Sequence, residues 1–388
     1  MSATADREFD VVLLGATGFT GTLTAQYLAE HAPDDLRWAL AGRNPGRLAE
    51  VRAGLGKRWA KLPLLHADAG DPESLAALAA STRVVASTVG PYLVHGEALV
   101  GACAAAGTDY VDLTGEPEFV DRMFLAHDAT ARATGARLVH SCGFDSVPHD
   151  LGVQFLLEPH AGAQEVEVRG VVRTSGSFSG GTFDSALTAF GRAKQMKAAA
   201  GERRDADPRP EGRSVRGVAG RPHKDDVLGY WLVPLPTIDP QVVLRSAAAL
   251  PEYGTRFRYS HWAGTKTLRY AVGGMGAVGA IALAAQFPPL REQLRARVPA
   301  GSGPDEARRA RSRFSVDLVG TVDGAPVRAR VSGGDPGYDE TAKMLAESAM
   351  CLALDDLPPT AGQVTPAVAM GAALRERLVS AGMRFERL

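Results

Sequence analysis

Short apolar runs alternating with helical spacing set the pattern of the first part of the chain. Val11–Leu14 is a continuous apolar stretch that runs straight into glycines, and helical spacing follows from Leu23 to His31. An unbroken apolar run of strand length predicts a strand buried on both faces. The rhythm then repeats, with strands expected at Trp38–Ala41, Leu62–Ala67, Arg83–Val89, Tyr110–Leu113 and Arg137–His140. Helices are expected at Pro45–Gly54, after Pro72, and at Leu99–Ala106. Such alternation, sustained to about residue 150, predicts a doubly wound parallel sheet.

Beyond about Gly152 the pattern changes. Glu165–Thr174 alternates apolar and polar positions as a half-buried strand does, and G-G-T-F-D at 180 predicts a helix reaching about Ala200. Glu202–Arg213, charged and carrying Pro208 and Pro210, reads as an exposed loop. Ser315–Val331 reads as a hairpin turning at Asp323-Gly324. This part should be a mixed sheet with helices on one face. Helices follow near Glu340–Leu354 and Ala367–Ala381. Tyr270–Phe287 carries no charge between Arg269 and Arg291. Its small residues favour a buried helix, ahead of a lipid-touching surface and of a true membrane span. The arginines from Arg291 to Arg313 are read as a solvated helical face, with docking of an acyl carrier's phosphate as the alternative.

The glycines after the first strand, in G-A-T-G-F-T-G from Gly15 to Gly21, carry the first chemical signal. Gly15 permits a tight turn, Gly18 lets backbone approach phosphate, and Gly21 allows the new helix to pack on the strand. The helix N-terminus offers free N–H donors to a pyrophosphate, and Ala16, Thr17, Phe19 and Thr20 complete the loop. In a chain with 43 glycines such spacing alone is weak; a strand before it and a helix after it are what give it weight. The second strand ends in Gly42, Arg43 and Asn44 rather than in an acidic residue. A guanidinium suits the 2′-phosphate of NADP(H), as a carboxylate suits the ribose hydroxyls of NAD(H). Asp68, past the third strand, is either an adenine partner or a helix cap.

Ligands of open α/β sheets sit beyond the strand carboxyl ends. Thr88, Val89, Gly90, Pro91 and Tyr92 are therefore expected near the nicotinamide ribose. Three strand exits bring Tyr92, His95, Glu116, Cys142, Asp145 and His149 to one rim. Glu116 and Asp145 are candidates for cofactor hydroxyls. Tyr92 is a candidate oxyanion donor and His149 or His95 a candidate proton relay, each with a packing or capping role as its alternative. The composition narrows the partners. Lys and Arg number 43 against 44 Asp and Glu, so no global field recruits nucleic acid. Three cysteines without a C-x-x-C pair suit a reducing compartment, and the N-terminus lacks the apolar core of a signal peptide, so a cytoplasmic protein is expected. No metal site is expected.

With these motifs in hand, the chain resembles the saccharopine dehydrogenase-like NADP-binding family, and within it the actinobacterial trans-acting enoyl reductases. The resemblance rests on G-A-T-G-F-T-G, A-G-R at 41, T-V-G-P-Y at 88, D-L-T-G-E at 112, C-G-F-D-S-V-P-H-D at 142, S-G-G-D-P-G-Y-D-E-T-A-K-M at 332 and A-G-Q-V-T-P-A-V-A-M at 361. It implies an α/β protein. Residues 1–150 would form an NADP-binding Rossmann domain and 151–338 a mixed-sheet substrate and dimerisation domain, with 339–388 as C-terminal helices returning to the first. The resemblance also implies a homodimer, while lipid or peripheral membrane contact through 270–287 stands as an alternative reading of that run's composition. The activity expected is NADPH-dependent reduction of an activated C=C bond in a lipid or polyketide thioester. Two alternatives stand beside it. A saccharopine-type dehydrogenase would need arginines to clamp several carboxylates, which Arg169, Arg173, Arg256 and Arg258 could supply, although nothing in their spacing demands it. A non-catalytic NADP(H) sensor would need no acid at the rim.

Overall fold

The computed structural model describes residues 7–176, 187–207, 210–297 and 303–388. The G-G-T-F-D segment at 180, and Pro208, lie outside them. Strands β1 (Phe9–Leu14), β2 (Trp38–Gly42), β3 (Leu64–His66), β4 (Thr82–Ser87), β5 (Asp109–Asp112) and β6 (Arg137–Val139) form a parallel sheet. The helices between and after them are α1 (Phe19–His31), α2 (Pro45–Gly54), α3 (Pro72–Ser81), α4 (Tyr92–His95), α5 (Glu97–Ala106), α6 (Pro117–Thr134) and α7 (Val147–Leu157). The strand order β3-β2-β1-β4-β5-β6 reverses between β1 and β4, which opens the crevice where such sheets take a dinucleotide. All six residues of β1 are buried, with Val11 opposite Trp38 on one side and Val84 on the other.

The second sheet is mixed. It comprises β7 (Glu165–Thr174), β8 (Ser214–Gly217), β9 (His223–Lys224), β10 (Trp231–Pro234), β11 (Arg256–Thr265), β12 (Phe314–Val322) and β13 (Ala325–Gly333). β7 lies between parallel β11 and antiparallel β12, and α7 packs against β12 and β13. The β12–β13 hairpin turns on Asp323 and Gly324, both at positive φ, as an Asp-Gly turn requires. The end of the chain serves both sheets. Helix Asp339–Leu354 covers one face of the first, where β14 (Gly362–Val364) pairs with β6, while β15 (Arg384–Arg387) pairs with β13 of the second. The helical stretch 367–381 breaks at Gly371, whose φ is +47°, into Pro366–Ala369 and Gly371–Ser380.

Two expectations are corrected. Glu202–Arg213 is not an exposed loop throughout, because helix Ala193–Ala206 carries Arg203 inside the protein, 3 % exposed. Its guanidinium lies 3.9 Å over the Phe124 ring and donates to Gln363 and the Val120 carbonyl. Partners that distant in sequence give a charged run no local sign of burial. The apolar helix Leu268–Ala285 is not buried either. Only 12 % of its apolar window lies inside the protein, and Tyr270, Val272 and Leu283 are more than half exposed.

Candidate cofactor site and the rim around it

Between β1 and α1 the backbone turns at Gly15, with φ at +92°. Gly15 donates its N–H to the Ala41 carbonyl (3.1 Å), and Gly18 donates to the Gly15 carbonyl (3.0 Å). A Cβ at Gly21 would stand 2.1 Å from the Gly15 oxygen, and one at Gly15 would stand 2.6 Å from Thr88 Oγ1. Only hydrogen fits either place. Thr88 holds the turn from β4, donating Oγ1 to the Gly15 carbonyl (3.0 Å) and its N–H to the Leu14 carbonyl (3.0 Å). α1 begins at Phe19, one turn ahead of the Leu23 expected from spacing, with Gly18 as its N-cap and no side chain capping it. Thr17 and Gly18 are exposed, Phe19 and Thr20 half-buried, and Ala16 buried. The uncapped amides and the helix dipole suit an anion at this spot.

At the β2 exit Gly42 is half-buried and Arg43 exposed, with no ion pair to Arg43 among the described residues. Asn44 is a helix cap: its Oδ1 accepts from the Arg47 N–H (3.0 Å) and starts α2. Asp68 accepts from the Gly70 N–H (2.9 Å), while Asp71 caps α3. The residues present therefore fit NADP(H): a turn that only glycine can make, an uncapped helix start, and an unpaired guanidinium where the 2′-phosphate would lie.

The rim is tightly tied. Val89 is half-buried, Gly90 is exposed and the Gly90–Pro91 bond is cis. Tyr92 is buried beneath it, donating its hydroxyl to the Ser87 carbonyl (3.0 Å) and accepting from the Leu113 N–H (3.1 Å). Burial and the Asp112 charge push this phenol well above its usual range. Glu116 also points inward, its carboxylate accepting from the N–H groups of Tyr92 (3.1 Å) and Leu93 (2.9 Å). Cys142 is fully buried, donates Sγ–H to the Val139 carbonyl (3.4 Å), and is pushed up by that burial. His95, by contrast, is exposed.

Asp145 and His149 lie where β6 leads into α7. Asp145 is half-buried, with Oδ2 beside Gly115, and burial together with the Asp239 charge pushes its carboxyl up to about 7. His149 is buried and faces Asp239, with Nε2 to Oδ1 at 3.6 Å. His261 of β11 faces the same carboxylate, with Nε2 to Oδ2 at 3.5 Å. The Tyr259 hydroxyl is 3.3 Å from Nδ1 of both rings. Burial pushes both imidazoles down to about 3, so they are neutral at pH 7. Asp239, Tyr259 and His261 escaped the sequence reading. Tyr259 and His261, two apart on one strand face, are the only local signal, since Asp239 reaches them from the start of a separate helix.

Comparison with known proteins agrees with this geometry. Residues 11–139 match the saccharopine dehydrogenase NADP binding domain. The trans-acting enoyl reductase of Mycobacterium bovis (strain BCG) is 39 % identical over 98 % of this chain and 97 % of its own, and that of Mycobacterium leprae 37 % over 97 % of each. A Mycobacterium tuberculosis protein provisionally named for the same activity is 42 % identical across 100 % of this chain and 99 % of its own. The saccharopine dehydrogenase (L-Glu forming) of Saccharomyces cerevisiae shares the fold, with a TM-score of 0.55, 15 % identity, and coverage of 98 % of this chain and 100 % of that one. The chain is an NADP-dependent oxidoreductase and belongs to the trans-acting enoyl reductase family.

Proposed function

We propose that this chain uses NADPH to reduce the activated C=C bond of a lipid or polyketide enoyl thioester. The observation that carries the reading is identity to trans-acting enoyl reductases over both sheets and the C-terminal return, not over the cofactor cradle alone. NADPH bound in the cradle supplies a hydride. The chain's own contribution begins with the Gly15–Gly21 turn and the α1 amides, which would hold the pyrophosphate, and with Arg43, which would hold the 2′-phosphate. Thr88 locks that turn to β4. Tyr92 and Glu116 fix residues 88–93 over the strand exits, so in this reading Tyr92 positions the rim rather than donating a proton.

The saccharopine-type alternative loses its clamp. Arg169 is paired with Asp225 (2.7 Å), Arg173 donates to Tyr230 (2.6 Å), and Arg256 and Arg258 sit beside Glu165 and Glu167 where β7 and β11 begin. NADPH oxidation by the purified protein separates the two: turnover with a long-chain 2-enoyl thioester and none with 2-oxoglutarate plus lysine is expected. The reverse result would overturn the proposal.

The exposed helix Leu268–Ala285 supports contact with an anionic lipid surface, from which a membrane-dissolved acyl substrate would be drawn. The helix is apolar beyond its first turn, and the exposed Lys266 and Arg269 flank its start. Co-sedimentation with phosphatidylglycerol vesicles but not phosphatidylcholine vesicles is expected, and Leu283→Glu should weaken it about ten-fold or more. A concentration-dependent dimer that buries this helix and ignores vesicles would count against it.

A further inference from the structure

We propose that His149, Asp239 and His261 form a binding site for one divalent transition-metal ion of the zinc type. The three come from separate elements: His149 from α7, Asp239 from the first turn of helix Asp239–Ala249, and His261 from β11. One ligand atom of each lies within 4.8 Å of the other two, and all three residues are buried.

Each imidazole stands too far from its nearer Asp239 oxygen for a hydrogen bond, and near the separation of two ligands that share one ion. The two imidazole-to-carboxylate distances, 3.5 and 3.6 Å, exceed the roughly 2.7–3.2 Å of an N–H···O bond. Donors bound tetrahedrally at about 2.0–2.2 Å from one ion stand about 3.4 Å apart. Asp239 Oδ1 and His261 Nε2 are buried without a hydrogen-bond partner among the described residues, and Oδ2 has the Thr237 hydroxyl. A carboxylate so placed is costly unless a cation faces it.

The surroundings orient the same three atoms. Tyr259 Oη, 3.3 Å from both Nδ1 atoms, can accept from each Nδ1–H, which leaves both Nε2 lone pairs turned toward Asp239. Room for that phenol is built into β7: a Cβ on Gly170 would lie 2.2 Å from the Tyr259 oxygen. Two histidines and one carboxylate make the donor set of a site with a fourth position open to water or a substrate oxygen. The inference is independent of the reduction proposed above.

The test uses full-length protein, dialysed against chelator and then titrated with zinc or cobalt(II). About one ion per chain by elemental analysis, with a tetrahedral cobalt ligand-field spectrum, is expected. Asp239→Asn and His261→Ala should abolish both, while NADPH fluorescence titration shows that the fold persists. Should those variants not fold, Tyr259→Phe, which keeps the ring, should weaken the metal about 10–100-fold. Wild-type protein that binds NADPH but neither ion stoichiometrically would overturn the site. Wild-type metal affinity in both His261→Ala and Tyr259→Phe would overturn it too, marking the ion as bound elsewhere.

Discussion

Arg43 and Tyr92 stand at two strand exits and call for different measurements. Arg43 is exposed and without an ion pair among the described residues, so its replacement reads the cofactor contact directly. Arg43→Ala should weaken NADPH by about ten-fold or more, roughly 1.4 kcal/mol, and leave NADH nearly unchanged in fluorescence titrations. Equal weakening of both would refute its phosphate-reading role. Tyr92 is the opposite case, a hydroxyl used twice inside the rim. Tyr92→Phe leaves the Leu113 N–H without its acceptor and should cost about 1–3 kcal/mol of stability. As a positioning residue it should lower kcat by less than about ten-fold and leave the pH profile of kcat unchanged. A loss of about 10²–10⁴-fold would return it to the role of acid.

Among elements, the contacts between helices at the back of the first sheet carry a pH signature. Arg377, on the helix Gly371–Ser380, donates to both oxygens of Asp355 (2.6 Å each) and to Glu347 (3.2 Å) on the helix Asp339–Leu354. Tyr27 of α1 donates to the other Glu347 oxygen (2.7 Å). Burial pushes the Asp355 carboxyl up, but the hydrogen bonds from Arg377 and Cys351 and the Arg377 charge outweigh it, and the net shift is downward. A carboxyl lowered in the folded state adds stability above its unfolded value, and that stability is lost as pH falls through the folded value. Arg377→Met should therefore destabilise the protein by about 1–2 kcal/mol at pH 7. Denaturant melts should show the gap to wild type closing below about pH 4. A gap that stays constant down to pH 2 would show that packing, not charge, was lost.

For the whole molecule, the first sheet is not self-sufficient. Val11, Leu13, Val84, Ala86 and Val111 share one core with Met344, Leu345, Ala349 and Met350 of the helix Asp339–Leu354, and the C-terminal β14 extends the sheet beside β6. Asp150 of α7 ties the same return down, accepting from the Ala367 N–H (2.8 Å) and from Ser246 of the helix Asp239–Ala249. Exposing side chains of this kind costs about 1.5–3 kcal/mol each, against a total stability of about 5–15 kcal/mol. A fragment of residues 1–150 should show no cooperative thermal transition and no NADPH binding. A sharp transition in that fragment would mean the cofactor half folds alone.

What the sequence determined by itself is what short-range physics encodes. Val11–Gly21 is legible because two-sided burial demands an apolar run and a positive-φ turn demands glycine. The Asp323-Gly324 hairpin and the alternation of β7 are legible for the same kind of reason, since neighbours within a few residues set them. Tertiary structure decided the rest. It set Arg203 inside the protein through Gln363 and Phe124, and left the helix Leu268–Ala285 on the surface despite its composition. It also turned Asn44, Glu116 and Tyr92 toward backbone amides and carbonyls that only neighbouring turns and strands supply. The cluster of His149, Asp239, Tyr259 and His261 is the extreme case. Its members are spread over more than a hundred residues, and only Tyr259 and His261, two apart on β11, stand close in sequence. Only the packing of α7, the helix Asp239–Ala249 and β11 against one another brings their polar atoms together.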